Sequence, residues 1–173
     1  GHATRVALEA IGDVGGDTVF VIAGDTPLFR GETLRRMLQA HRGACTVLTT
    51  RVPDPTGYGR VVRSGGEVSG IVEERDADDA NRGIDEVAMS TYAFDGAALV
   101  AALDKVGTHN DQDEEYLTDV VGILAGSGPV AAFTVADHRE TVGVNSHDQL
   151  WEADALMRDR INRQWMKAGV WMQ

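Results

Sequence analysis

The sequence predicts an α/β fold in which helices flank a mixed, mostly parallel sheet. Residues 18–23 form a continuous apolar, β-branched run, which is typical of a strand covered on both faces. A helical pattern over 34–41, stopped by Gly43, separates this run from a second apolar strand at 44–50. Strand, helix and strand in so short a segment predict a βαβ unit with a right-handed crossover and parallel strands.

The other elements follow from periodicity and turn residues. The chain opens inside a helical pattern, and Gly65 and Gly66 sit at the turn of a predicted hairpin. The remaining predictions, in order, are strands at 61–62 and 68–72, a charged surface loop at 73–85, a strand at 86–94, helices at 97–103 and 113–125, a strand at 130–135, and a long helix from Ser146 to Gly169 with Ser146 and Gln149 as a capping box.

Composition narrows the possible partners. The 173 residues include 27 acidic and 16 basic side chains, a formal charge of -11, which argues against nucleic acid or an anionic membrane as the main partner. A phosphate substrate stays compatible with an acidic protein if a metal ion mediates the contact. The single Cys45, in an apolar run, predicts a buried, inert thiol, and with neither an export signal nor a membrane span we expect a cytoplasmic protein.

Asp25 is the first candidate for chemistry. It follows the predicted central strand, at the carboxyl end where ligands collect in open α/β sheets. A carboxylate there suits magnesium, and the neighbouring Gly24 lets a substrate approach the backbone. The alternative is a turn in which the Asp25 side chain accepts hydrogen bonds from the amides of residues 27 and 28. Position alone leaves both interpretations open.

Seven short motifs occur in order along the chain. They are Gly1-His2-Ala3, Ala23-Gly24-Asp25-Thr26-Pro27-Leu28, Gly57-Tyr58-Gly59-Arg60-Val61, Ile71-Val72-Glu73, Asn110 with Gln112 before Glu114, Tyr116-Leu117-Thr118-Asp119, and Gly143-Val144-Asn145. Together they resemble the uridylyltransferase domain of the bacterial bifunctional N-acetylglucosamine-1-phosphate uridyltransferase / glucosamine-1-phosphate acetyltransferase family. The resemblance covers essentially the whole chain.

The resemblance implies a Rossmann-like nucleotidyltransferase domain that binds UTP and N-acetylglucosamine 1-phosphate. The sugar phosphate would attack the α-phosphorus of UTP, and pyrophosphate would leave, in a reaction governed by positioning and charge neutralisation. It further implies a Mg²⁺ ion held by Asp25 and Asn145, both counted as catalytic. Without the resemblance, Asn145 is interpreted as a residue at the start of a helix.

The resemblance also implies substrate contacts at Gly1, for the uracil, and at Ala23 and Gly24. The sugar would contact the backbone at Gly59 or Gly57 and the carboxylate of Glu73, whose two oxygens can bind two hydroxyls. Judged alone, Glu73 is an exposed charge at a strand end.

One motif departs from the family. The family's Glu-(Ile/Val)-Asn-(Ser/Thr/Ala)-Gly, whose Asn contacts the sugar, stands here as Glu86-Val87-Ala88-Met89-Ser90. Ala88 has no side-chain amide at this sugar-binding position. Either Ser90 or a water substitutes for it, or the chain recognises a different sugar.

The resemblance suggests two segments, a partial nucleotidyltransferase domain at 1–145 and a linking helix at 146–173. The family's first strand and Gly-rich phosphate loop would lie before residue 1, so we expect the chain alone to be inactive. Beyond residue 173 the family continues into a left-handed β-helix acetyltransferase domain that makes a homotrimer.

Two other functions remain open. Another sugar-1-phosphate nucleotidyltransferase, or a molybdopterin nucleotidyltransferase, would share the turn at Asp25 but not the element at 57–60. A non-catalytic regulatory domain of the same fold would be consistent with Ala88.

Overall fold

This computed structural model describes residues 1–172, which form six strands and six α-helices. The helices are α1 (His2–Ile11), α2 (Gly31–Ala40), α3 (Asp79–Arg82), α4 (Gly96–Leu103), α5 (Leu117–Ala125) and α6 (His147–Lys167). The strands are β1 (Thr18–Ile22), β2 (Cys45–Arg51), β3 (Arg60–Ser64), β4 (Glu67–Val72), β5 (Glu86–Asp95) and β6 (Ala131–Thr134).

Strand β5 organises the sheet. The order is β4-β3-β5-β2-β6, and β1 also pairs with β5. Because β2 pairs along most of one edge of β5, the other edge is divided between β3, which pairs at Val87, and β1, which pairs from Thr91 to Asp95. The three residues between these partners, 88–90, therefore lie where β5 passes from one neighbour to the next.

The sheet is mixed, as predicted, and β1 and β2 run in the same direction because both are antiparallel to β5. However, β5 lies between them, and within residues 1–172 only β2 and β6 are parallel neighbours. The expected predominance of parallel pairs is therefore wrong for this part of the sheet. An apolar run indicates a strand buried on both faces, but it carries no information about strand direction.

Apolar clusters cover both faces of the sheet. Alternate residues of one strand enter different clusters, as the two-residue period of a strand requires: Val47 packs in the cluster with α4 and α5, and Leu48 packs with Met37 of α2. Cys45 is buried in the first cluster, and its burial raises the pKa of the thiol. The predicted inert cysteine is therefore consistent with its surroundings.

The charged segment at 73–85 contains more regular structure than predicted. It holds one 3₁₀ turn at Glu74–Asp76 and the single turn of α3, whose N-cap Asp78 accepts a hydrogen bond from the backbone of Asn81. Short capped turns of this kind carry no long apolar period that would reveal them in a sequence.

Helix α5 begins at Leu117, four residues later than predicted. A turn precedes it, in which the side-chain oxygen of Asn110 accepts hydrogen bonds from the amides of Gln112 and Glu114 at 3.2 and 3.1 Å. Asp113 has a φ of 53°, which is incompatible with a right-handed helix. The acidic residues before Tyr116 therefore belong to the turn.

Helix α6 starts after Ser146, as predicted, but without the predicted capping box. The Ser146 side chain makes no capping hydrogen bond. Gln149 does turn back toward the helix start, where its side-chain oxygen accepts from the amide of Asn145 at 2.7 Å, one residue earlier than the motif requires. The helix start is thus fixed through Asn145, which belongs to the candidate site.

Among residues 1–172, no helix combines the length and the apolar character needed to cross a membrane.

Candidate active site

The fold brings Asp25 and Asn145 together, although 120 positions separate them in the chain. The backbone amide of Val144 donates to the carbonyl of Asp25 at 2.9 Å. A methyl group placed on Gly143 would lie 3.2 Å from Oδ2 of Asp25 and 3.7 Å from Nδ2 of Asn145, so these two atoms are within about 7 Å of each other. Gly143 leaves the space between the two segments that this approach needs.

The turn after β1 orients Asp25. The hydroxyl of Thr26 donates to the carbonyl of Ala23 at 3.0 Å and closes the turn. Position 27 is a proline, which has no backbone N–H to donate, and within residues 1–172 the amide of Leu28 makes no hydrogen bond to the Asp25 carboxylate, so the turn-capping alternative is not formed. The carboxylate is therefore free to face the segment at 143–145.

Asp25 and Asn145 fit a magnesium ion that is shared with phosphates. No group of three or more His, Cys, Asp or Glu side chains suited to a metal ion occurs in the described part of the chain. Magnesium, however, commonly takes one or two protein oxygens and completes its shell with water and substrate phosphates. Rotation of the Asn145 amide would turn its oxygen toward Asp25, since the two ends of an amide are nearly indistinguishable by shape.

A cavity of 350 Å³, which we call the metal-side cavity, opens beside this pair. Five of the predicted site residues line it: Ala23, Asp25, Gly57, Ala88 and Asn145. Its remaining walls come from Thr26, Thr56, Tyr58, Met89, Ser90, Thr141, Gly143 and Gln149.

A second cavity of 340 Å³, which we call the Glu73 cavity, adjoins the first. Gly1, Ala23 and Glu73 line it, and Ala23 and Ser90 belong to both cavities. Gly24 lines neither; it lies in the turn with open space around its Cα, where a ligand could approach. The two cavities are therefore neighbours along the ends of β1 and the middle of β5, and we refer to them together as the cleft.

A hydrogen bond orients Glu73. The hydroxyl of Thr118, at the start of α5, donates to Oε1 of Glu73 at 2.8 Å and leaves Oε2 on the other side. A methyl group on Gly59 would lie only 3.3 Å from Oε2 and 2.8 Å from a methyl carbon of Ile71, so only glycine fits there without a shift. The backbone at Gly59 and the carboxylate of Glu73 therefore adjoin, as a shared sugar site would need.

Arg60 fixes the loop that carries Gly57 and Gly59. Its side chain is only 2% exposed, donates to the carbonyl of Tyr58 and forms an ion pair with Glu74 at 2.6 Å. Glu74 also accepts from the amide of Gly57 at 3.1 Å, and the hydrogen bond from Arg60 lowers the pKa of Glu74. This buried arginine therefore holds the Gly57 loop against the turn at 74–76.

Residues 88–90, where the sequence departs from the family motif, line the cleft. Ala88 is 5% exposed, and its amide donates to the carbonyl of Gly59 at 2.9 Å. Ser90 is exposed and has a φ of 46°, and its carbonyl accepts from the amide of Ala23 at 3.2 Å. Ser90, whose side chain carries a hydroxyl, thus lines both cavities, whereas Ala88 lines only the metal-side cavity and has only a methyl group.

The sequence assigned no role to three polar residues of the cleft. Tyr58 lines the metal-side cavity, Tyr116 and Thr118 line the Glu73 cavity, and Thr118 contacts Glu73 directly. All three stand inside motifs that carried the family resemblance. Their place in ordered motifs was a signal, but their distance from Glu73 along the chain hid the contact.

Comparison with known proteins shows the family to which the chain is related. A family model described as "Nucleotidyl transferase" matches residues 1–166. The curated protein named "Bifunctional protein GlmU" from Streptomyces avermitilis is 51% identical over 98% of this chain, and those from Streptomyces coelicolor and Heliobacterium modesticaldum are 49% and 47% identical. The chain spans 36 to 38% of the length of these relatives.

A solved structure shares the fold at much lower sequence identity. A Bacillus anthracis protein assigned as a glucose-1-phosphate thymidylyltransferase, solved with sucrose, superposes with a TM-score of 0.65 over 91% of this chain and 60% of its own. The two are 18% identical, so this likeness supports the Rossmann-like nucleotidyltransferase fold alone.

Proposed function

Since the chain belongs to the nucleotidyl transferase family, with a family match over residues 1–166, we propose that it forms the metal and sugar part of a uridylyltransferase site. The enzyme would transfer a uridylyl group from UTP to N-acetylglucosamine 1-phosphate. One observation carries the proposal: Asp25 and Asn145, far apart in sequence, meet across Gly143 at the mouth of a cleft that also holds Glu73.

The proposed reaction is an in-line phosphoryl substitution. A phosphate oxygen of the sugar phosphate forms a bond to the α-phosphorus of UTP, and the bond between the α-phosphorus and its bridging oxygen to the β-phosphate breaks. UDP-N-acetylglucosamine and pyrophosphate result. A magnesium ion, when bound, neutralises charge on the phosphates. Asp25 and Asn145 would hold this ion, and the turn closed by Thr26 keeps Asp25 in the wall of the metal-side cavity.

Glu73 and Gly59 form the proposed sugar end of the cleft. Thr118 fixes one oxygen of Glu73 and leaves the other available to accept hydrogen bonds from sugar hydroxyls. Gly1, also in the Glu73 cavity, is the proposed contact for the uracil. Ala23, which lines both cavities, and Gly24, which lies beside it in the turn with open space around its Cα, are further proposed substrate contacts. We assign the contact that Ala88 cannot make to the hydroxyl of Ser90, which lies in both cavities.

The segment after the site has a separate proposed role. We propose that residues 146–173 link this domain to a left-handed β-helix acetyltransferase domain, through which the whole protein forms a homotrimer. Helix α6 supports this role because only Ala153 of its 21 residues is buried. We place the reaction in the cytoplasm, where an unpaired thiol such as that of Cys45 stays reduced.

Calorimetry on the chain tests the proposed site without requiring turnover. We expect UDP-N-acetylglucosamine to bind in the presence of Mg²⁺, and Asp25→Asn to weaken the magnesium-dependent part of binding by about 10- to 100-fold. Asp79→Asn is the matched control, because Asp79 is fully exposed and lines neither cavity. Equal binding by the Asp25 and Asp79 variants would contradict the metal role of Asp25.

Titrations of each substrate into the whole protein separate the alternatives. Binding of UTP with Mg²⁺ but not of N-acetylglucosamine 1-phosphate would indicate another sugar phosphate, a result that Ala88 would explain. Preference for GTP over UTP would indicate a different nucleotidyltransferase. Binding of neither substrate would favour a non-catalytic domain.

A further inference from the structure

A third cavity lies away from the cleft and concentrates positive charge. It measures 640 Å³ and shares no lining residue with the metal-side cavity or the Glu73 cavity. Five cations line it: Arg30, Arg139, Arg160, Arg163 and Lys167. They are five of only 16 lysines and arginines in a chain of charge -11, so their collection in one cavity contrasts with the rest of the surface.

Helix α6 supplies three of these cations. Arg160, Arg163 and Lys167 stand at spacings of three and four residues, so they share one face of the helix. Like charges at this spacing destabilise a helix unless something compensates them. The guanidinium of Arg160 is held in place, because it donates to the carbonyl of Leu28 at 2.9 Å.

The nearby carboxylates neutralise only part of this charge. Asp137 accepts from Arg139 at 2.7 Å and lies 3.6 Å from Arg30, and Asp159 accepts from Arg163 at 2.7 Å. Hydrogen bonds from Arg139 lower the pKa of Asp137 to about 2, so its charge is committed to that pair at neutral pH. Within residues 1–172, Arg160 and Lys167 have no carboxylate within 4.0 Å.

The side chain of Arg30 adds a nitrogen donor that lacks a hydrogen-bond acceptor among the described residues. Its Nε lies 3.2 Å from Oε1 of Glu140, in an ion pair, yet this buried atom makes no hydrogen bond among the described residues. Glu140 already accepts the hydroxyl of Thr33 at 2.5 Å. The wall of the cavity therefore contains donors in excess of the acceptors that the chain provides.

From this excess we infer that the third cavity, which we call the basic cavity, binds a phosphate-type anion carrying two or more negative charges. Guanidinium groups offer forked donors that match phosphate oxygens, and a lysine ammonium adds a point charge. Arginine from α6 and from the segments at 30 and 139 would surround the anion. The site lies outside the proposed uridylyltransferase cleft and needs no metal.

Inorganic pyrophosphate is a suitable probe, titrated calorimetrically into the chain with divalent cations removed. We expect saturable binding of one anion that weakens as ionic strength rises. The double variant Arg160→Gln, Lys167→Gln should weaken binding about 10-fold or more. Glutamine at position 160 can still donate to the carbonyl of Leu28, and circular dichroism checks that the variant is folded.

The matched control is the double variant Arg158→Gln, Lys105→Gln. It removes the same two positive charges, but Arg158 pairs with Asp154 and neither residue lines the basic cavity. We expect pyrophosphate affinity within about twofold of the parent, since the charge of Arg158 is paired with Asp154 and exposed charges outside the cavity are screened. Asp25→Asn should also bind normally, which separates this site from the cleft. No saturable binding, or equal losses in the two double variants, would overturn the inference.

Discussion

Ser90 shows how one residue can adopt a strained conformation for a site. It is the single exposed residue within an otherwise buried stretch of β5, and its φ of 46° is unusual for a residue with a side chain. The register between β2 and β5 shifts opposite it, between Val47 and Thr49. Strain of this kind collects at functional sites. The family motif that the sequence resembles has a glycine at this position, and glycine adopts a positive φ at little cost.

We expect Ser90→Gly to stabilise the chain by up to about 1 kcal/mol. The left-handed conformation destabilises a residue with a Cβ by roughly 1–2 kcal/mol, and glycine avoids this cost. The greater flexibility of glycine in the unfolded chain offsets about 0.5–1 kcal/mol of that gain. Ser90→Ala removes the same hydroxyl but keeps the strain, so its stability should stay near that of the parent. Urea unfolding of the three proteins measures the difference. A glycine variant less stable than the alanine variant would contradict the strain.

The candidate site could be predicted only in part at this scale. The position of Asp25 after β1 left a metal ligand and a turn residue both open, and its pairing with Asn145 was predicted only through the family resemblance, because no local pattern connects residues 120 positions apart. Thr118 was hidden in the same way, since its contact with Glu73 joins α5 to the end of β4. The roles of Asp25 and Glu73 therefore depend on contacts with residues that are distant in the sequence.

At the scale of the element, an ion pair joins three strands at one end of the sheet. Glu86 of β5 has a side chain only 7% exposed and accepts two hydrogen bonds from Arg63 of β3, at 2.7 and 2.8 Å. Arg51 of β2 lies 3.7 Å from the same carboxylate. These contacts hold β3 and β2 against opposite edges of β5, where β3 has little other pairing with β5.

The pair predicts how stability depends on pH. Hydrogen bonds from Arg63 lower the pKa of Glu86 below its ordinary value. The folded state therefore binds this proton less readily than the unfolded state, whose glutamate titrates at about 4.3. The stabilisation is fully present above that unfolded pKa and is lost as pH falls through the lower folded pKa.

We expect Glu86→Gln to remove this contribution to acid sensitivity. Urea titrations at several pH values from 7 to 3 measure the free energy of unfolding. At pH 7 this free energy should be lower in the variant than in the parent, because Arg63 loses its charged partner. As the pH falls, it should decrease less steeply in the variant than in the parent. Glu152→Gln is the control, an exposed carboxylate on α6 that takes no part in the pair. Parallel pH profiles for the Glu86 variant and the parent would contradict the role of the pair.

Elements were predicted well wherever a period was long. Every strand and every helix of eight or more residues appears within a few residues of its expected place, because burial imposes its period on the sequence. The failures lie at ends. The start of α5 is set by the Asn110 turn, and at the correctly predicted start of α6 a hydrogen bond from the amide of Asn145 to Gln149 replaces the expected capping box. Both depend on side-chain hydrogen bonds whose partners vary with the local backbone.

At the scale of the whole molecule, the sequence indicated layers but not the arrangement of strands. Apolar runs at β1, β2 and β5 predicted strands covered by helices, and both faces of the sheet are indeed covered. The insertion of β5 between β1 and β2 depends on how the chain returns through the hairpin β3–β4 and the segment at 73–85. That return is a property of long-range packing, and the hydrophobic pattern does not encode it.

The exposure of apolar side chains also differs between parts of the molecule. The sheet region buries its apolar residues, while the outer part of α6 and the residues after it leave theirs exposed. All three tryptophans of the chain lie there: Trp151, Trp165 and Trp171 are 73%, 54% and 80% exposed. Exposed apolar patches rimmed by charge are typical of interaction surfaces, which agrees with the proposed linking role of residues 146–173.

This distribution predicts the behaviour of intrinsic fluorescence. Because the indoles already face water in the folded chain, unfolding in urea should barely shift the wavelength of tryptophan emission, even as far-ultraviolet circular dichroism shows the loss of helix and sheet. Leu99→Trp is a matched control that places an indole in the core, where the residue is fully buried. If overpacking there prevents folding, the half-buried Phe20→Trp replaces it.

The two signals together locate the exposed surface. The control should shift toward the red when the core opens, whereas the parent should not, and the difference identifies α6 as the part of the molecule that the sheet leaves uncovered. A large red shift of the parent on unfolding would show that the tryptophans are covered in solution. Since the sheet does not reach them, that cover would have to come from another copy of the chain, and dilution would then reduce the shift.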